Sequence, residues 1–153
     1  MKTILEYIIS KSNKRYVIKA TNDTINKIVK DELDKLGHDA DLNHIDVREV
    51  TFMDSLFSCH TVDLGTKYRD LNPDISGWDV SKVRNMQSMF AICENFDCDI
   101  SKWDVSNVID MRFMFNSCKK FNQDLSHWDV KNVKYIECIF SGCPIKEEYK
   151  PKF

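Results

Sequence analysis

Residues 74–93 read Asp74-Ile75-Ser76-Gly77-Trp78-Asp79-Val80-Ser81-Lys82-Val83-Arg84-Asn85-Met86-Gln87-Ser88-Met89-Phe90-Ala91-Ile92-Cys93, and the pattern returns at 99–118 and at 124–143. Trp78, Trp103 and Trp128 stand 25 residues apart, and each opens a Trp-Asp-Val triplet. Eleven columns keep their chemical character in all three copies. A repeat of this period means units that cannot bury their apolar faces alone and must stack. A weaker copy precedes them. Ile45-Asp46-Val47, Val50, Met53, Leu56 and Phe57 fill the same columns, with Ile in place of Trp and His60 in the Cys column. Ile45 lies 33 residues before Trp78, so eight extra residues enter somewhere within Thr61 to Leu71.

Each unit carries two periods. Trp103 and Val105 alternate, as a short strand does. Val108, Met111, Met114, Phe115 and Cys118 then follow steps of three and four, the spacing of a short helix, with Ser81 and Ser106 as its candidate N-caps. Upstream, Arg15-Tyr16-Val17-Ile18-Lys19 reads as a strand. Ile25, Ile28, Val29, Leu33 and Leu36 make one apolar stripe that ends at Gly37, and Ile4, Leu5, Ile8 and Ile9 suggest an earlier short helix.

The string Phe121-Asn122-Gln123-Asp124-Leu125-Ser126-His127-Trp128-Asp129-Val130, with 107–111 and 114–118, resembles the BspA-like leucine-rich repeat. In particular it is similar to the 25-residue form of bacterial surface lipoproteins, found also in Bacteroidetes and their phages. The resemblance spans roughly residues 41–145. It implies a right-handed solenoid that binds other macromolecules, and it implies no reaction. The predicted fold is therefore α/β: a right-handed leucine-rich-repeat solenoid of about four 25-residue rungs with an α-helical N-terminal cap. The cap takes residues 1–40, the solenoid 41–145 and a C-terminal tail 146–153.

Composition narrows the function classes. Hydrophobic residues at 42% and charged residues at 30% suit a folded chain. Four Gly and three Pro exclude collagen-like and glycine-loop designs. Net charge is −2, and residues 41–145 hold eleven basic against sixteen acidic residues, which argues against a phosphate-tracking surface. Residues 1–40, with eight basic against six acidic, keep a nucleic-acid or ribonucleoprotein binder as a distant alternative. Glu6 interrupts the first apolar run, and no stretch reaches the roughly 18 apolar residues of a membrane span. The expected location is the cytoplasm, where six thiols stay reduced.

Candidate chemistry mostly resolves into packing. Cys93, Cys118 and Cys143 share a column and read as buried thiols. No Cys-x-x-Cys occurs, and His38, His44, His60 and His127 lack ligand spacing, so no metal is expected. Asp39-Ala40-Asp41-Leu42-Asn43 starts like a calcium loop, but His44 and Val50 stand where Gly and Glu are required. The stacked columns Asp74, Asp99, Asp124 and Asp79, Asp104, Asp129 would repel unless each carboxylate accepts backbone N–H groups at its turn. No catalytic residue and no cofactor is predicted.

Function is then expected where the repeat breaks. Lys102 and His127 precede the Trp column, Arg112 and Phe113 stand against Lys134 and Tyr135 as departures from the repeat on the helical side, and Tyr68 and Arg69 lie in the inserted stretch. Exposed aromatics and Arg are the usual interface anchors. The expectation is a non-enzymatic protein–protein interaction module, in one variant a phage- or mobile-element-encoded inhibitor of a host defence protein. The alternative is a structural component that oligomerises through solenoid ends, the C-terminal rung above all.

Overall fold

The computed structural model describes residues 16–59 and 68–153. The expected helix at Ile4–Ile9, His60 and most of the inserted stretch lie outside the described residues. The elements are strand β1 (Ile18–Lys19), helix α1 (Ile25–Leu36), strand β2 (Ile45–Asp46) and a 3-10 turn (Glu147–Tyr149). β1 and β2 pair in parallel, Ile18 opposite Ile45. The α/β leucine-rich-repeat solenoid with an α-helical N-terminal cap is therefore corrected. Among the described residues there is one α-helix, and no repeat contains any.

What stands in the predicted helical stripe is a pair of tight turns. Met114 N–H donates to the Met111 carbonyl and Cys118 N–H to the Phe115 carbonyl, each closing a four-residue turn. The third residue of each turn, Phe113 and Ser117, has positive φ, the type II pattern. Ser88 and Ile92 do the same in the second repeat, and Cys138 and Gly142 in the last. A left-handed residue every fourth position stops a helix from propagating. It also brings Met111, Met114, Phe115 and Cys118 inward at three- and four-residue steps, which imitates a helix in the sequence. Ser81 and Ser106 cap no helix; their N–H groups donate to Asp79 and Asp104 (3.1 and 3.0 Å).

The units are joined by backbone bonds of two kinds: Arg84, Ile109 and Lys134 N–H donate back to the carbonyls of Thr51, Arg84 and Ile109, and a longer set runs forward. Met53, Ser55, Phe57 and Cys59 N–H donate to the carbonyls of Asn85, Gln87, Met89 and Ala91. Met86, Ser88, Phe90 and Ile92 donate to Asp110, Arg112, Met114 and Asn116; Met111, Phe113, Phe115 and Ser117 donate to Tyr135, Glu137, Ile139 and Ser141. Every donor of this longer set points to the later repeat. Single parallel bridges follow the same column through Phe52, Asn85, Asp110 and Tyr135. Glu94 N–H donates to the Arg69 carbonyl, a 25-residue offset, whereas Cys59 still pairs at the longer one. The eight extra residues therefore fall between Cys59 and Arg69.

Side chains fill the interior in register. Phe57, Phe90, Phe115 and Phe140 stack at 5.5, 5.6 and 5.5 Å between centroids. Trp78, Trp103 and Trp128 are buried, as are Cys93 and Cys118. Burying aromatic and aliphatic faces at about 25 cal/mol per Å² is the main stabilising term. Each Asp column accepts N–H bonds two residues on, as at Asp74, Asp99 and Asp124 (3.0 Å each). These local bonds turn a stack of like charges into a stack of turns.

Helix α1 covers the first repeat. Ile25, Val29 and Leu33 join one buried cluster with Val50, Met53, Leu56 and Phe57. Asn22 Oδ1 accepts the N–H groups of Thr51 and Phe52 (2.8 and 3.2 Å). The buried Glu32 accepts from Tyr16 Oη (2.8 Å) and meets His44 Nε2 at 2.7 Å. Burial alone would raise its carboxyl, but bonds from Tyr16, Lys35 and His44 hold it below the usual range.

Candidate functional site

The eight sequence candidates separate into distinct environments. Tyr68 is corrected outright. It is 2% exposed and its hydroxyl bonds Asp34 of α1, so it is a core residue rather than a surface anchor. Arg69 is exposed, and its charge, after the bond from Cys93, helps to hold the Cys59 thiol below its usual range. Lys102 and His127 are exposed and share a column of their own, on the turns that end at Trp103 and Trp128.

Arg112, Phe113, Lys134 and Tyr135 come together. Register does this: Met111 and Phe113 donate to the carbonyls of Tyr135 and Glu137 (2.9 and 3.0 Å), and Lys134 N–H donates to the Ile109 carbonyl (2.8 Å). The Arg112 guanidinium lies 5.0 Å from the Tyr135 ring centroid, a cation–π distance. It is fixed there by Asp110, whose carboxylate accepts from Arg112 Nε (3.0 Å) and Nη2 (2.5 Å). Burial would raise the Asp110 carboxyl, and the Arg112 bonds outweigh it and lower it. Phe113 is 38% exposed although it sits at φ 58°, a conformation that costs a bulky side chain about 1–3 kcal/mol.

Beside them lies Ile136, 40% exposed, which the sequence reading passed over. Its signal was present: in this column Met86 and Met111 are buried beside a following repeat, and no further repeat packs on Ile136 among the described residues. Tyr135 is 46% exposed for the same reason. The C-terminal tail covers another part of the last repeat, with Leu125 N–H donating to the Tyr149 carbonyl and Ile145 and Pro151 buried. The turn from 135 to 142 stays open.

Among the described residues, no other feature offers chemistry of comparable definition. A shallow cleft of about 380 Å³ is lined by Lys19, Asp46, Arg48, Glu49, Asp79 and Lys82, but its charges pair with one another, Arg48 with Asp46 (2.7 Å) and Lys82 with Glu49 (2.8 Å). Arg48 holds Asp46 down to about 2. Burial pushes the Cys118 thiol up, and Cys59 together with burial does so for Cys93. Among the described residues, no group of three or more His, Cys, Asp or Glu is arranged to hold a metal ion. No described helix is long and apolar enough to cross a membrane.

A family model described as a Mycoplasma protein of unknown function, DUF285, matches residues 62–148, more than half of the chain. That family is related to BspA-like repeats, so the resemblance holds at this level and no leucine-rich-repeat family is assigned. No curated protein and no solved structure matches.

Proposed function

This chain belongs to the DUF285 family, and from the geometry of its last repeat we propose that it is a non-enzymatic protein-interaction module. The observation that carries the reading is the meeting of Arg112, Phe113, Tyr135 and Ile136 on the open turn. Large exposed aromatics beside a pre-positioned Arg are the composition of interface hot spots, because they bury much area at little cost in side-chain entropy. Asp110 removes the freedom of Arg112 before any partner arrives, and Phe113 is held outward by a strained backbone. Lys134 supplies a flanking charge that steers encounter.

The test is affinity capture from lysate of the source cells with chemical cross-linking. Tyr135→Ala and Phe113→Ala are expected to lose the captured partner at least tenfold, as hot-spot truncations do. Lys102→Ala with His127→Ala is expected to leave capture unchanged. Equal capture by the Tyr135→Ala and wild-type proteins contradicts the reading. A second reading, assembly of like chains through the last repeat, is favoured by the N–H groups of Ile136, Cys138, Phe140 and Gly142, which have no acceptor among the described residues.

A further inference from the structure

At each junction between repeats, two backbone groups flank the bridge residue and bind the next unit. Around Asp110 these are the Ile109 carbonyl, which accepts Lys134 N–H, and Met111 N–H, which donates to Tyr135. The bridge column ends at Tyr135. The equivalent groups there are the Lys134 carbonyl and the Ile136 N–H, and among the described residues neither has a hydrogen-bond partner. Both residues are exposed.

One carbonyl before Tyr135 and one N–H after it form a self-complementary pair. When two such edges meet antiparallel about a twofold axis at Tyr135, Ile136 N–H of each copy reaches the Lys134 carbonyl of the other. That is one rung of an antiparallel ladder, in which the facing residues lie closest and bring their side chains together. Tyr135 is then opposite Tyr135, and Ile136 of each copy faces Lys134 of the other.

We propose that the open turn at Tyr135 docks a second copy of this chain, as an isologous dimer closed by the antiparallel pair Ile136 N–H to Lys134 carbonyl. The proposal rests on the reading of this turn as an interaction surface and names its partner. A head-to-tail stack is closed off by sterics, because β1, Asn22 and α1 already occupy the far side of the first repeat. An isologous contact uses one patch twice and stops at two copies.

Sedimentation equilibrium on the full chain tests this, over concentrations from about 5 to about 500 µM, the range of a small interface. The expected result is a rise from the monomer mass toward twice that mass, with no larger species. Ile136→Pro deletes an N–H that has no acceptor in the monomer, and Tyr135→Glu places two like charges at the axis. Each is expected to raise the dissociation constant about tenfold or more while circular dichroism and melting stay near wild type. Phe52→Ala, at the opposite end of the bridge column, is expected to change nothing. A monomer at every concentration overturns the dimer; so does a dimer lost in Phe52→Ala, or one unaffected by both Tyr135→Glu and Ile136→Pro. If the chain is monomeric yet Tyr135→Ala still loses a lysate partner, the interaction surface stands and only the second copy falls.

Discussion

Val50, Met53, Leu56 and Phe57 of the first repeat are sealed into one cluster with Ile25, Val29 and Leu33 of α1, while in the last repeat the columns of Val50 and Met53 carry the part-exposed Val133 and the exposed Ile136. The two ends are built from the same columns and the same turn. They differ in their neighbours. At the first, Asn22 supplies the acceptor for Thr51 and Phe52 N–H, and β1 extends the pairing. At the last, Ile136, Cys138, Phe140 and Gly142 N–H point where the next repeat would be, and none has an acceptor among the described residues. The lesson is that stacking gives every unit a polarity, and each end needs a different device. A covered end contributes stability; an uncovered donor edge is available for recognition.

Removing apolar volume separates the two ends most. Leu33→Ala, in the sealed cluster, is expected to cost about 3 kcal/mol, against less than about 0.5 kcal/mol for Ile136→Ala, read by denaturant melts. Equal losses would mean the ends are equivalent.

Acid comes next. Asp46, Asp79, Asp99, Asp110, Asp124 and Asp129 all sit below the ordinary carboxylate range, so their stabilisation is full above the unfolded value and lost as pH falls through the folded one. The melting temperature should hold from about pH 7 to 5 and fall from about pH 4 to 2. Asp46, held to about 2 by the two-pronged Arg48, should matter more than Asp129. Asp46→Asn is expected to cost about 1 kcal/mol at neutral pH, the exposure of Arg48 having screened the rest, and nothing below pH 2. An equal cost at both pH values would contradict that.

The tryptophans sharpen the contrast further. Trp78 Nε1 donates to the Leu42 carbonyl (3.0 Å) and Trp103 Nε1 to Ile75 (3.3 Å), but buried Trp128 Nε1 has no partner among the described residues. Trp103→Phe should therefore cost about 1 kcal/mol more than Trp128→Phe, because only the former deletes a made bond. Identical costs would show that the unpartnered donor is bonded in solution.

The smallest effect separates stability from recognition. Phe113→Gly relieves a left-handed backbone and should raise stability by up to about 1 kcal/mol while losing partner capture. Lower stability together with intact capture would reverse the assignment of Phe113.

Much of this was legible in the residues. The 25-residue register, the aromatic and thiol columns and the stripe Ile25, Val29, Leu33 depend on spacing, and spacing survives in a sequence. The turns did not reveal themselves, because apart from Gly142 their left-handed positions are filled by residues such as Ser88, Ile92, Phe113 and Cys138 rather than by Gly. Without that signal, inward residues at steps of three and four read as a helix. Tyr68 misled for another reason: it closes the insertion and faces α1, a contact set by chain reversal rather than by local pattern. Arg112, Phe113, Lys134 and Tyr135 could be singled out as departures from the repeat, but their meeting depended on the register of two repeats.

Amide hydrogen exchange by NMR, at low concentration, tests the polarity of the stack most directly. Met111, Phe113, Phe115 and Ser117 N–H should be protected to near the global unfolding level, while Ile136, Cys138, Phe140 and Gly142 N–H exchange close to the unprotected rate. Raising the concentration should then slow Ile136 selectively. Strong protection across all four last-repeat amides in the dilute monomer would contradict the open donor edge, and with it the account of how this protein meets a partner.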